Sequence, residues 1–533
     1  MRKFLFSILI IIVSAGPLYA HQDILQANLI SRNYEQLYQW RVRESVEFAE
    51  SMLPEGGKDP NIIFLAAMSY FYRSDYDSSL FYMDKLRQYD WENFDYWHDI
   101  VKETYDLTKN FTKYESDHFT LALDAGQDAV LSGYLLMALE KAYVNVGRDL
   151  GFYPDFKIMV EIYPDTQSFQ TASTLTVKQM ETSGAVGICK FSRIMMISPV
   201  NFVRGFSYLD TITHEYVHFC VNYISKAYCD LWLHEGTARF EERKWRDGEY
   251  ALDEADRGFL SDNIRNDTFI SFKRMYPSLV NLSNGEEVKL AFIQVALAVR
   301  YIIENYGRDG FYSFFDRIGY FQDTNRAFEE VFKSTVPDFE AKLKSYIKSA
   351  YSGGGDGGLF DRDEFKLKEQ GRSLTDIELD WLKGDEIRHS IRLGDMFRDR
   401  NKLPAAVFEY KKALDSDPNS VVILNKLAKA LTMERNDTEA LPYLLKARDI
   451  KKGYPATHTN LGNLYLMRRD FDSALASFYE AIYINPYDPD IHFKLSLIYL
   501  NRGDMVSAGK EINNALLLAP DNPYYQSVKQ KIK

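Results

Sequence analysis

Two short segments contain the most informative residues of this chain: residues 214–218 read His-Glu-Tyr-Val-His, and residues 232–238 read Trp-Leu-His-Glu-Gly-Thr-Ala. The apolar spacing around the first segment predicts one helix over residues 207–224. Residues four apart share one face of a helix, so His214 and His218 can bind the same ion.

Two glutamates complete this candidate site. Glu215 lies beside the open coordination position, where it can accept a proton from a water molecule. Glu235 supplies a carboxylate from a second predicted helix, although an acidic residue at a helix start is also favoured by the helix dipole alone. Two imidazoles, one carboxylate and an open position form the His₂Glu set of catalytic zinc sites. The two segments together predict one Zn²⁺ per chain.

These segments resemble the gluzincin metallopeptidases, the group that contains thermolysin and the aminopeptidase N relatives. In that group a WLxEGxA-type segment contributes the third zinc ligand. The resemblance covers residues 116–350 and implies a thermolysin-like α+β catalytic domain that hydrolyses peptide bonds. It implies that Ser183–Cys189 lies at the edge strand that binds an extended substrate. The implied zinc ligands are His214, His218 and Glu235, and the implied catalytic base is Glu215.

The chain departs from that family at the residue that stabilises the oxyanion. Relatives have a tyrosine on a downstream helix, whereas the matching place here is Phe292. Tyr301 or Tyr276 is a candidate replacement, with packing as the default role of each. The loss of one oxyanion donor lowers the rate by about 10²–10³. The Gly-Ala-Met-Glu-Asn segment of aminopeptidases has no counterpart in the sequence, which favours an endopeptidase.

Other polar residues near the two segments have simpler interpretations. Asp210, one turn before His214, either orients that imidazole or favours the helix start. His234 is expected to pack or to cap the helix. Glu241 and Glu242 are interpreted as a solvated helix face.

The C-terminal part of the chain repeats with a period of 34 residues from near Ile387. Small residues recur at fixed places, where they let paired helices approach closely. This pattern resembles the tetratricopeptide repeat (TPR) over residues 387–520, and it implies a helical solenoid over 387–533 that binds a protein partner. The recurring residues are Ala406, Ala440, Ala474 and Ala508, then Ala413, Ala447, Ala481 and Ala515, with Gly394, Ala428, Gly462 and Ser496 at the helix crossings.

Three further segments complete the predicted organisation. Residues 1–20 have the basic start, the short apolar run and the small-residue end of a signal peptide. Residues 21–115 predict helical hairpins, either TPR-like repeats or a plain helical cap. Residues 351–386 combine a glycine-rich linker with a helical cap. The predicted fold is therefore mainly α, with an α+β catalytic domain followed by a TPR α-solenoid.

Composition limits the location and the partners of the chain. The net charge of −12 argues against nucleic-acid binding, which needs concentrated basic surface. The signal peptide predicts export to the periplasm or beyond the cell, and no later apolar run is long enough to predict a membrane span in the mature chain. The 3 cysteines are too few for a disulfide framework, although Cys220 and Cys229 are close enough in sequence to pair.

Two functions from different classes fit these observations. The preferred one is an exported zinc metallopeptidase that cleaves proteins or peptides, with the repeats recruiting a partner or substrate. The alternative is a scaffold whose metallopeptidase fold is catalytically weak or inactive. Phe292 and the large repeat region favour the scaffold, whereas the presence of Glu215 favours the enzyme.

Overall fold

The computed structural model describes residues 19–532 except 57, 177–179, 181–184, 247, 249, 277, 280–281, 353–366, 368–373, 381 and 383. Most of the predicted signal peptide and the glycine run at 353–358 lie outside the described residues. No helix among the described residues is long and apolar enough to cross a membrane.

The N-terminal region consists of antiparallel helices joined by short turns. Asp59 caps one helix through the backbone N–H of Asn61, and Asp75 caps the next through Ser78. The predicted helical hairpins are confirmed. The helices span Tyr19–Tyr38, Val42–Gly56, Pro60–Tyr72, Tyr76–Leu86 and Phe94–Thr108.

The region from Thr112 to Tyr351, called the central domain below, contains the described β-sheet. Its five strands are Thr112–Glu115 (β1), Phe119–Leu123 (β2), Ile158–Tyr163 (β3), Gly187–Lys190 (β4) and Arg193–Ile197 (β5). They have the order β1-β2-β3-β5-β4, so β4 lies at one edge of the sheet. Strands β2, β3 and β5 are parallel, whereas β1 and β4 are antiparallel to their neighbours.

A buried ion pair joins the sheet to the N-terminal helices. Arg193 Nε on β5 lies 3.0 Å from Glu161 Oε2 on β3, and both side chains are almost completely buried. Arg193 also donates to the backbone oxygen of Phe71, while Tyr76 donates to Glu161. The N-terminal helices therefore share one polar interior with the sheet.

The helices of the central domain pack on the sheet and on one another. The long segment Gly285–Phe321 breaks at Gly307, where a φ of 73° interrupts the helical backbone. The α-helices span Ser132–Leu150, Thr166–Ser173, Tyr208–Ser225, Leu231–Glu241, Glu254–Arg265, Phe272–Met275, Gly285–Phe321, Thr324–Phe332 and Val336–Tyr351, with 3₁₀ turns at Gln127–Leu131, Pro199–Asn201 and Lys244–Arg246.

The C-terminal region forms the predicted solenoid of helix pairs, called the repeat domain below. The small residues have the predicted role: a Cβ at Gly394 or Gly462 would collide with the ring of Tyr410 or Phe478. A short helix, Leu374–Asp380, comes before the pairs. The pairs are Asp385–Asp399 with Leu403–Ser416, Val421–Met433 with Asp437–Ile450, Pro455–Met467 with Phe471–Ile482, and Pro489–Asn501 with Met505–Leu518, followed by Pro523–Lys531.

The repeat domain and the central domain share one apolar core. Phe478, Ile482, Ile491 and Leu495 of the third and fourth repeats belong to the same buried cluster as the sheet. The first two repeats, together with Leu461 and Leu464 of the third repeat, form a separate core. The fold class is therefore the predicted one, but the last repeats pack directly on the central domain.

Candidate metal centre

The helix Tyr208–Ser225, called the HEYVH helix below, positions both candidate imidazoles. It begins after Ser207, one residue later than predicted, and ends at Lys226, whose φ of 52° stops the helix. The rings of His214 and His218 lie on one face with centroids 4.6 Å apart and planes at 90°. The four-residue spacing therefore has the predicted effect.

The helix Leu231–Glu241, called the LHEG helix below, positions Glu235. Trp232 stacks on Phe272 with ring centroids 4.4 Å apart, which fixes the first turn. Gly236 lies so close to the long helix that a Cβ there would be 2.5 Å from the backbone oxygen of Val295. The absence of a side chain at this position is what lets the two helices approach.

The three predicted ligands converge. Oε2 of Glu235 lies 3.5 Å from His214 Nε2 and 3.5 Å from His218 Nε2. Among the described residues, these three form the only group of His, Cys, Asp or Glu side chains arranged to bind a metal ion, with their ligand atoms within 4.8 Å of one another. In a tetrahedral zinc site with ligands at 2.0–2.2 Å, the ligand atoms are about 3.3–3.6 Å apart. The spacing and the donor set therefore fit a His₂Glu zinc site.

The charges of this cluster are strongly coupled. Burial lowers the pKa of His214, but hydrogen bonds to Glu235 and Glu242 outweigh that effect and raise the pKa to about 10. Burial raises the pKa of Glu235, but the charge of His218 and hydrogen bonds from both imidazoles bring it well below its ordinary value. The carboxylate of Glu235 is thus ionised and stabilised by the same imidazoles that would share a metal ion with it.

Glu215 lies between the HEYVH helix and the edge of the sheet. Burial raises the pKa of its carboxyl group, and the nearby His218 and His214 partly oppose that shift. A Cβ at Gly187 on β4 would lie 3.0 Å from Cγ of Glu215. The backbone of Cys189, also on β4, forms a hydrogen bond with the Glu215 carboxylate. Edge strand β4 therefore lies directly against the candidate base.

Glu242 contacts the rear of the site, so the interpretation of Glu241 and Glu242 as a solvated face is wrong. Their exposed fractions are 0% for Glu241 and 5% for Glu242. Oε2 of Glu242 lies 3.4 Å from His214 Nδ1, and both Glu242 oxygens accept hydrogen bonds from Arg239 Nη1 at 2.8 and 2.9 Å. The position of Glu242, two helical turns after Glu235, is the sequence signal that could have identified it.

Asp210 and His234 have roles that the sequence left open. Asp210 accepts hydrogen bonds from Trp245 Nε1 at 2.7 Å and from Arg246 Nη2 at 3.0 Å. Glu242, and not Asp210, is the carboxylate placed against Nδ1 of His214. His234 stacks on the ring of His218, with centroids 4.2 Å apart and planes 8° apart. His234 thus packs, as expected, against a candidate ligand.

Family models agree with this architecture. Residues 138–349 match the model of the Peptidase MA superfamily. The central domain is a Peptidase MA superfamily domain. Residues 394–433 match a TPR repeat model and residues 465–532 match a tetratricopeptide repeat model. A Peptidase MA superfamily domain followed by TPR repeats is the predicted architecture.

Whole proteins are less similar to the chain. No curated protein matches it. Among solved structures, MamA protein is 23% identical over 28% of this chain and 81% of its own, with a TM-score of 0.26. A thermophilic TPR protein of Thermus thermophilus is 21% identical over 27% and 80%, with a TM-score of 0.25. A chain of the APC/C hetero-tetramer Cut9–Hcn1 is 12% identical over 94% of this chain and 95% of its own length, with a TM-score of 0.27.

The two tyrosines considered as oxyanion donors have other surroundings. Tyr301 packs against the rings of Phe339 and Tyr346, with centroids 5.7 and 5.0 Å away. Tyr276 is 68% exposed. Neither environment assigns an oxyanion role. Packing, the default role, is confirmed for Tyr301 but is wrong for the exposed Tyr276.

The cysteines Cys189, Cys220 and Cys229 are all free thiols in the structure. Burial raises the pKa of the Cys189 and Cys229 thiols well above the ordinary value, and it raises the pKa of Cys220 to about 12. Such thiols are poor nucleophiles at neutral pH. Cys220 is buried, whereas Cys189 and Cys229 are partly exposed, and the pairing of Cys220 with Cys229 that their closeness in sequence allowed is not formed.

Proposed function

We propose that the central domain is a zinc-dependent peptidase, an endopeptidase that acts after export of the chain. The observation that supports this proposal is the convergence of His214 Nε2, His218 Nε2 and Glu235 Oε2 at 3.5 Å, with Glu215 against an edge strand. The Peptidase MA superfamily match supports the same class of reaction. The signal-like residues 1–20 support export.

His214, His218 and Glu235 would bind one Zn²⁺. When bound, zinc supplies a Lewis acid that polarises a carbonyl oxygen and makes water more acidic. Glu242 would fix the orientation of the His214 ring through Nδ1, as carboxylates behind metal-binding histidines do. Arg239 in turn fixes the Glu242 carboxylate by donating to both of its oxygens.

Glu215 would act as the general base. It accepts a proton from the water that attacks the peptide carbonyl and donates that proton to the leaving amine. The raised pKa of its buried carboxyl favours this exchange, because a base is most effective when its pKa is near the working pH. The backbone of β4 next to Glu215 would pair with an extended peptide by strand addition.

The repeat domain would recruit a protein partner or a substrate. The apolar core of the first two repeats is separate from the core of the central domain, so these repeats are the part that we assign to such a partner. The net charge of −12 supports a protein or peptide ligand in place of a nucleic acid.

The second candidate function is a scaffold in a cell-envelope complex. The observation that favours it is the absence of a hydroxyl group at Phe292, together with the packed position of Tyr301 and the exposure of Tyr276. A scaffold would use the same repeats for assembly and would turn over peptides slowly or not at all.

Glu215→Gln separates the two functions. The zinc content of residues 21–533 is measured by elemental analysis after dialysis, and cleavage of unfolded casein is measured with added zinc. The enzyme predicts about one zinc per chain in wild type and Glu215→Gln, with a 10²–10⁴-fold loss of cleavage in the variant. Glu241→Gln, a buried glutamate that contacts neither imidazole, is the matched control and keeps its activity.

Two outcomes would contradict the proposed peptidase. If wild type binds zinc that is lost in Glu235→Ala, yet wild type and Glu215→Gln behave alike in cleavage and in the cellular phenotype, the scaffold is the better account. If no zinc binds after the metal is added back, the catalytic assignment fails.

A further inference from the structure

The third repeat contacts the start of the HEYVH helix. The backbone N–H of Phe206 donates to the backbone oxygen of Ile484 at 3.1 Å. Gly205 has a φ of 75°, and a Cβ at this position would collide with that same oxygen. Tyr483 packs edge-on against Trp245 with ring centroids 4.9 Å apart. Glu480, Tyr483 and Ile484 are called the third-repeat surface below.

A chain of polar contacts continues from this surface into the HEYVH helix. Glu480 lies 3.3 Å from Arg246 Nη1, and Arg246 Nη2 donates to Asp210. Trp245 Nε1 donates to the same carboxylate. Asp210 is in the first turn of the HEYVH helix and precedes His214 by four residues. The third-repeat surface is therefore connected, through Arg246 and the buried carboxylate of Asp210, to the first turn of the helix that contains His214.

Elsewhere in the interface between the central domain and the repeat domain, polar side chains pair with one another. Tyr134 of the central domain donates to Glu511, which also lies 2.7 Å from Nδ1 of the buried His492. Tyr487 donates to Asp128 at 2.6 Å and lies 2.9 Å from the hydroxyl of Ser198. Buried polar groups paired across an interface are costly to separate, because each would lose its partner. This interface between the two domains is therefore unsuited to a partner that binds and dissociates.

We infer that the third-repeat surface is an internal docking site for the HEYVH helix and that Glu480, Tyr483 and Ile484 are positioning residues for the metal centre. The inference rests on the proposed zinc site for its metal-binding consequence. It excludes the third-repeat surface from partner binding. It also makes the geometry of the metal site depend on the repeat domain.

Gly205→Ala tests the inference in the full chain, with Gly503→Ala as the matched control. Both glycines have a positive φ, of 75° and 76°, so both variants incur the strain of a side chain at a positive φ. A Cβ at Gly205 would collide with Ile484, whereas a Cβ at Gly503 meets no atom within 4 Å. The difference between the two variants therefore isolates the contact with the repeat.

Three measurements report the effect on the helix and on the candidate metal site. Amide hydrogen exchange of the metal-free chain reports opening of residues 208–213. The visible spectrum of the Co²⁺-loaded chain reports ligand geometry, and a zinc titration reports affinity. We expect Gly205→Ala to speed exchange at 208–213, to change the Co²⁺ spectrum and to raise the zinc Kd about tenfold. Gly503→Ala should change none of the three.

Glu480→Gln is a milder second perturbation, in case Gly205→Ala does not fold. It removes the charge that faces Arg246, and its control is Glu439→Gln, which removes the charge that faces Lys411 within the first two repeats. We expect faster exchange at 208–213 in Glu480→Gln alone. Equal behaviour of the two variants in each pair, or a loss of stability in Gly205→Ala with unchanged exchange and spectrum, would overturn the inference.

The test distinguishes this inference from the proposed function. A wild type that binds zinc but cleaves no peptide refutes the peptidase, while the spectrum and the exchange still decide the docking. A wild type that binds no metal refutes the zinc site, and the exchange measurement alone then decides the docking.

Discussion

The buried carboxyl of Glu241 makes the stability of the chain depend on pH. Glu241 ends the LHEG helix, its side chain is completely buried, and Lys244 Nζ is 3.7 Å from one of its oxygens. Lys244 and Arg308 lie closer to the neighbouring Asp149, at 2.6 and 2.9 Å. Burial, only partly opposed by Lys244, raises the pKa of Glu241 from 4.5 to about 8.

The direction of the pH effect follows from that pKa. Between pH 4.5 and 8 the unfolded chain has lost the Glu241 proton, whereas the folded chain still has it. Stability falls with rising pH wherever the folded state binds more protons. The free energy of unfolding therefore falls by up to about 1.4 kcal/mol per pH unit in this window. Glu241→Gln removes this dependence, because its side chain has no proton to lose.

Urea denaturation of the metal-free chain checks this prediction at pH 5, 6, 7 and 8. The variant should gain stability over wild type steadily as the pH rises. Glu287→Gln is the control: the backbone N–H of Ser283 and the side chain of Arg274 lower the pKa of Glu287, and neither partner titrates between pH 5 and 8. Glu287 is thus ionised in both states across the window, and its variant should differ from wild type by a constant amount. A constant difference for Glu241→Gln as well would refute the reasoning.

Three further predictions concern the site and the core. Zinc binding at pH 7.5 should release about one proton from His214, whose pKa is about 10, so calorimetric heats should depend on the buffer; buffer-independent heats would contradict this. Gly236→Ala forces a Cβ against the backbone of Val295 and should cost about 1–3 kcal/mol and weaken zinc binding; unchanged urea and zinc titrations would refute the close approach. Glu161→Gln leaves the charge of Arg193 buried and unpaired and should cost about 3–5 kcal/mol by urea denaturation; a loss below 1 kcal/mol would show that the ion pair contributes little.

The candidate site was predictable to the extent that it depends on local spacing. Two histidines four residues apart on a helix must share a face, and a nearby helix can bring one carboxylate to them. His214, His218 and Glu235 accordingly converge. The repeat helices were predictable for the same reason, because each 34-residue unit contacts mainly its neighbours.

The residues behind the site were not predictable, because their environments depend on partners far away in the sequence. Glu242 is polar and directly follows the last residue of a helix, which is typical of a solvated residue, yet it is buried against His214 and Arg239. Arg246 contacts Glu480 across 234 residues of sequence. No spacing rule within the central domain or within the repeats indicates that Arg246 and Glu480 would meet.

The third repeat packs into the core of the central domain, so the boundary between the two domains in sequence is not a boundary between two cores. The linker region 351–386 separates two patterns in the sequence, but it does not separate two interiors, since Phe478 and Ile482 lie in the same core as the sheet. Removal of the repeats would take away Tyr483, which packs on Trp245. Arg246 would keep its contact with Asp210 but would lose its contact with Glu480. The HEYVH helix would then begin at a surface that its own domain leaves uncovered. The candidate metal centre thus involves three parts: one helix with two imidazoles, one helix with a carboxylate, and the third repeat, which contacts the start of the first helix.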